Sequence, residues 1–125
     1  MSINAKQKGN RFEREVSKQL NKKFGTNTRR TPLSGGMDFK GDIICTDQRS
    51  ILFNFSFECK NQERLNIWKA LHQCENDCER WKDPVVVFTK NHEDTYAAMR
   101  FEDWCNIIKE LEDLRNEIKE LRGGK

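Results

Sequence analysis

Four consecutive apolar residues, Val85-Val86-Val87-Phe88, constrain this chain most. A strand with no polar face must be covered on both sides, so the run predicts a buried central strand. Asp83-Pro84 stands just before it and stops any preceding helix, because the residue before a proline is pushed out of helical conformation.

Other elements arrange themselves around that strand. Phe12, Val16, Leu20 and Phe24 recur every four residues and predict a helix over 9–24, stopped by Gly25. Residues 26–41 hold Pro32, Gly35, Gly36 and Gly41 and read as loop, with room for a short strand near 28–30. Strands are expected over 42–45 and 50–59, joined as an antiparallel hairpin by the turn Asp47-Gln48-Arg49. In the second of these, Leu52, Asn54, Ser56 and Glu58 fall on one face and Ile51, Phe53, Phe55 and Phe57 on the other. Leu65, Trp68, Leu71, Cys74, Cys78 and Trp81 predict a helix over 63–81, 95–100 a further strand, and 102–122 a long last helix ended by Gly123-Gly124. This order describes an α/β domain with a central mixed β-sheet flanked by helices.

The last helix is unlike the others. Ile107, Leu111, Leu114, Ile118 and Leu121 are spaced 4, 3, 4 and 3, an a/d seam over two heptads that Trp104 extends. Its apolar stripe is too narrow for full burial. Two readings are open: a short coiled coil pairing two protomers, or a helix lying across its own sheet. The chain therefore divides into a core over 1–101 and a C-terminal helix over 102–125, within one domain of 125 residues.

Charge narrows the partner. The net charge is only +3, but residues 1–41 carry ten Lys/Arg against three acids. A basic stretch of this kind suits a polyanion, with nucleic acid the commonest, though a solvated lysine-rich helix face has the same composition. No apolar run approaches a membrane span, and residues 1–8 lack a signal-peptide core. Five cysteines without a disulfide framework fit free thiols in a reducing cytoplasm.

The candidate chemistry starts at Glu58-Cys59-Lys60. On a strand, i and i+2 share a face, so Glu58 and Lys60 stand side by side after an aromatic-rich segment. Glu-x-Lys alone is unspecific. Asp42 opens the preceding strand, and a hairpin brings it toward Glu58. Two converging carboxylates repel unless a cation lies between them, and hard oxygen donors suit Mg²⁺ or Mn²⁺. Taken alone, Asp42 is better read as capping a turn after Gly41. Glu13, at the edge of the first helix's buried stripe, is the third candidate, or else an i,i+4 partner for nearby lysines.

Together these residues resemble the PD-(D/E)XK nuclease superfamily, and within it the archaeal-type and phage Holliday junction resolvases. The likeness rests on Lys8-Gly9, Glu13, Arg14 and Glu15, then Arg30 before Ser34-Gly35-Gly36, then Gly41-Asp42, then Glu58-Cys59-Lys60, and it covers residues 6–90. Gly41 departs from the pattern by standing where proline would precede the Asp. The resemblance implies a restriction-endonuclease-like core and a Mg²⁺ site, with Mn²⁺ as substitute. Asp42, Glu58 and the Cys59 carbonyl would be ligands, Glu13 would complete the set, and Lys60 would act on the attacking water. It further implies phosphate contacts from Lys8, Arg11, Arg14, Arg29, Arg30, Ser34 and Lys40. It points to branched DNA, above all four-way junctions, as substrate, and to a homodimer.

Weaker patterns remain. Cys74, Cys78 and His72 have the spacing of a partial zinc site, but cysteine is also an ordinary buried residue. The three Trp and eight Phe are expected in the core, with Trp68 as a possible base-stacking exception. His92, in a turn, has no evident role. Competing functions are a related nuclease acting on other DNA (repair, fork or restriction-like) and a non-catalytic dimeric nucleic-acid-binding protein. Converging carboxylates argue against the latter, since they would repel DNA.

Overall fold

The computed structural model describes residues 4–30 and 42–123. Helix α1 spans Ala5–Phe24, β1 Arg29–Arg30, β2 Ile43–Ile44, β3 Phe55–Asn61, α2 Ile67–Asn76, β4 Asp83–Thr89, β5 Tyr96–Ala98 and α3 Phe101–Arg122. The strands form one sheet in the order β1-β2-β3-β4-β5. β3 and β4 are parallel, linked through α2, and the other neighbours are antiparallel. This is the mixed α/β sheet that the element order predicts, and it agrees with the restriction-endonuclease-like core that the resemblance implies.

The apolar run at 85–88 is divided between two cores. Val85 and Val87 pack with Phe12 and Val16 of α1 and with Ile43, Leu52, Phe57 and Cys59. Val86, with 0 % exposure, turns the other way onto Ala70 and Cys74 of α2. Pleating therefore gives each helix its own apolar face of the same strand. Pro84 pairs with Ser56 at the start of β4, before β5 begins, where its missing N–H removes no bond to β5.

Several boundaries differ from expectation. The strand foreseen over 50–59 begins only at Phe55, because Ile51–Asn54 form a 3₁₀ turn. Ser50 Oγ caps that turn by accepting from the Leu52 N–H at 3.2 Å. Leu52 consequently enters the α1 core with Phe57 instead of sharing a face with Glu58. Helix α2 is shorter than 63–81. Asn66 caps its start by accepting from the Lys69 N–H, and the backbone leaves the helix at Asp77, so Cys78 and Trp81 lie beyond it.

The aromatic residues also divide. Phe12 and Phe57 are buried, whereas Phe24, Trp81, Phe101, Trp104 and Trp68 (70 % exposed) are not. The core is built from Val, Ile, Leu, Cys and two Phe, and tryptophan contributes no buried side chain. No helix among the described residues is long and apolar enough to cross a membrane.

Candidate active site

The site is built where β2 meets β3. Antiparallel pairing sets Ile43 against Phe57, which brings Asp42 opposite Glu58. Asp42 is fixed twice. Its N–H donates to the Phe57 carbonyl at 2.8 Å, and its Oδ2 accepts from the Cys59 N–H at 2.7 Å. These two bonds straddle Glu58 and set Asp42 beside it across the adjacent strands β2 and β3.

Glu58 is 5 % exposed. Burial pushes its carboxyl up to about 7, and the neighbouring Asp42 adds to the rise; Asp77 and Glu13 act in the same direction, while Lys60 opposes them. Asp42 is also raised, first by burial and then by Glu13, against the lowering effect of the Cys59 N–H, Lys60 and Arg30. Both shifts describe an acidic cluster short of positive charge.

Lys60 follows Glu58 by two residues, on the same face. Its Nζ lies 3.9 Å from Glu58 Oε1. It also donates to Gln73 Oε1 of α2 at 3.4 Å. Gln73 carries no signal in the sequence, because it meets Lys60 only once α2 has packed back over β3.

Glu13 is held from the opposite side. Arg30 Nε lies 2.8 Å from Glu13 Oε1, and a terminal nitrogen of the same guanidinium donates to Asn10 Oδ1 at 2.8 Å. β1 is in turn tied to α1 through Thr28, whose hydroxyl and backbone bond to Ser17 and Asn21. The α1–β1 junction thus presents Glu13 and Arg30 as one unit.

Arg14, Lys18, Arg29 and Arg30 border a groove of about 480 Å³ along this junction. Arg11 is exposed on α1 outside it. Lys8 instead pairs with Glu63 at 3.6 Å. Ser34, Lys40, Gly41 and the Ser34-Gly35-Gly36 loop lie outside the described residues.

One family model spans nearly all of this architecture. The family described as "Phage putative PDDEXK endonuclease" matches residues 4–122. The chain belongs to this family. It is therefore a PD-(D/E)XK nuclease in fold and in lineage. No curated protein and no solved structure matches it.

In this PD-(D/E)XK nuclease the donors fit a divalent metal by their chemistry. Asp42 and Glu58 are oxygen donors pressed together in a poorly solvated place, and a hard dication relieves that repulsion. They do not form a finished cage. Among the described residues, no three of His, Cys, Asp and Glu stand close enough to enclose an ion. The pattern matches a site completed by substrate and water, as Mg²⁺ sites commonly are.

The cysteine and histidine pattern in α2 supplies no second site. The Cys74 thiol donates to the carbonyls of Ser56 and Val85 at 3.7 Å, and that of Cys78 to Glu79 and Lys82 at 3.3 Å. His72 is exposed.

Proposed function

We propose that this chain is a divalent-metal-dependent, structure-selective endodeoxyribonuclease that nicks four-way DNA junctions in the cytoplasm of a prokaryotic or phage-infected cell. The observation that carries the reading is the meeting of Asp42, Glu58 and Lys60 where β2 pairs with β3, in a chain whose family is one of endonucleases. Preference for branched DNA is supported by the motifs at 8–15, 30 and 58–60 and by a basic groove suited to phosphate contacts.

Asp42 and Glu58 would hold Mg²⁺, or Mn²⁺ in its place, with the Cys59 carbonyl, and Glu13 would complete the set through water. Such an ion would supply a Lewis acid for the scissile phosphate and a water of lowered pKa. Lys60 stands beside Glu58 and orients the attacking water or stabilises charge building on the phosphate. Gln73 holds the Lys60 ammonium from α2. Arg11, Arg14 and Arg29 take DNA phosphates on the α1 side, positioning the duplex without reading its sequence.

The test is cleavage of a synthetic four-way junction beside linear duplex and single strand of the same sequence, with and without Mg²⁺. Wild type, Asp42→Ala and Lys60→Ala are compared. Paired symmetric nicks in the junction alone, lost in both variants and without metal, are expected. Cleavage of all three substrates would retain the nuclease and remove junction selectivity. Tight binding with no cleavage in Mg²⁺ or Mn²⁺ would replace the enzyme with a binding protein.

A further inference from the structure

No residue of α3 is buried, although the helix runs for 22 residues. Its seam of Trp104, Leu111, Leu114, Ile118 and Leu121 is exposed to solvent. The helix therefore does not spend its apolar stripe on its own sheet. Helices in proteins draw most of their stability from packing an apolar face, so an exposed seam of this kind calls for a partner.

The charges beside the seam identify that partner. With Trp104, Leu111 and Ile118 at a and Ile107, Leu114 and Leu121 at d, the g positions are Glu110 and Glu117. Arg115 and Arg122 fall at e. In a parallel in-register pair, each g residue faces the e residue five positions later on the other strand. Glu110 then meets the partner's Arg115, and Glu117 the partner's Arg122, each twice by symmetry. In an antiparallel pair g faces g and e faces e, which sets Glu against Glu and Arg against Arg. The internal ion pair Lys109–Asp113, at 2.9 Å, lies at f and c on the outer face, clear of the seam.

We infer that α3 is a self-recognition element that joins two copies of this chain as a parallel, in-register two-stranded coiled coil. The g/e pattern is complementary to itself in that orientation alone. The inference does not depend on the nuclease reading. Its two-fold symmetry would pair two identical active sites in one particle.

Sedimentation velocity on the full chain tests it, over a range of concentrations and with far-UV circular dichroism as the folding control. Wild type should sediment as two chains at the higher concentrations. Leu114→Lys, at a position half exposed in the single chain, should keep its helical spectrum and sediment as one. The double variant Glu110→Arg/Glu117→Arg should dimerise about tenfold more weakly or worse, because every g–e contact becomes repulsive. Mixing it with Arg115→Glu/Arg122→Glu should restore the two-chain species. A single-chain wild type at all concentrations would overturn the proposal, as would a dimer indifferent to Leu114→Lys. A dimer lost in Leu114→Lys but unchanged by the charge reversal would overturn the parallel register, since antiparallel strands exchange one repulsion for another.

Discussion

Arg30 Nε sits 2.8 Å from Glu13 Oε1, and the same guanidinium reaches Asn10. Its planar fork is thus largely committed to α1 and fixes the direction of the Glu13 carboxylate. Arg30→Ala is expected to lower the single-turnover cleavage rate at least about tenfold, with a smaller change in DNA affinity. Arg30→Lys should recover only part, because one ammonium cannot span both partners. Arg14→Ala, on the exposed face of the same groove, should show the reverse balance. Rates at saturating DNA, set beside affinities from fluorescence anisotropy, separate the two behaviours. If Arg30→Ala weakens binding and leaves the saturated rate intact, its main role is a phosphate contact.

Glu58 links the site to stability. Its carboxyl is pushed from 4.5 up to about 7 in the folded chain, chiefly by burial. Between those two values the native state keeps a proton that the unfolded chain releases. Stability is therefore lost as pH rises through that window. Glu58→Gln keeps the position neutral at every pH. In a chelator, it should unfold close to wild type at or below pH 4.5 and be more stable above pH 7, by on the order of 3 kcal/mol. Urea denaturation at the two pH values measures the difference. An equal gap at both would mean that Glu58 ionises as an ordinary carboxylate. Adding Mg²⁺ at high pH should narrow the gap by stabilising wild type alone.

The sequence made the central strand and the Glu-x-Lys pair readable because both depend on strict local alternation. Val85 to Val87 divide between two cores as a doubly covered strand must, and Glu58 and Lys60 share a face through the same pleat. What was not readable depended on caps and on tertiary contacts. Ser50 competes locally with the ladder and turns 51–54 into a 3₁₀ segment, while their apolar alternation looks like strand. Trp68 occupies a helical apolar repeat, yet α2 needs only Ala70 and Cys74 to meet Val86, and the tryptophan is left outside. Gln73 and Lys60 are thirteen residues apart and meet only through the β3–α2–β4 crossover. The Arg30–Glu13 pair, at seventeen, is hidden for the same reason.

Lys60 brings a positive charge to the site, lying 3.9 Å from Glu58 Oε1 and 3.4 Å from Gln73 Oε1. Lys60→Ala removes the ammonium and should cost about 10²-fold or more in single-turnover cleavage, in the range seen for lost acid–base partners. DNA affinity should change little, since Lys60 lies outside the basic groove bordered by Arg14, Lys18, Arg29 and Arg30. Gln73→Ala should cost less, about three- to tenfold, because the ammonium persists but loses one tether. Gln73→Glu places a second carboxylate on Lys60 and should shift the pH–rate profile as well as its height. A Gln73→Ala enzyme indistinguishable from wild type would show that the 3.4 Å contact does no positioning.

Chelation separates catalytic metal from structural metal. The Cys74 thiol points into backbone carbonyls of Ser56 and Val85, burial pushes it well above its ordinary range, and such a thiol is a poor zinc ligand. Cys78 makes similar carbonyl contacts, and His72 is exposed. EDTA is therefore expected to abolish cleavage while leaving the melting temperature at pH 6 unchanged or lower by only the small amount due to lost Mg²⁺. Readdition of Mg²⁺ or Mn²⁺ should restore activity, and Zn²⁺ should not be needed for refolding. A large drop in melting temperature on chelation, rescued by Zn²⁺ and absent in Cys78→Ser, would instead make Cys74 and Cys78 a structural metal site. Unchanged stability together with lost cleavage would mark the metal as catalytic and not structural, as a site at Asp42 and Glu58 requires.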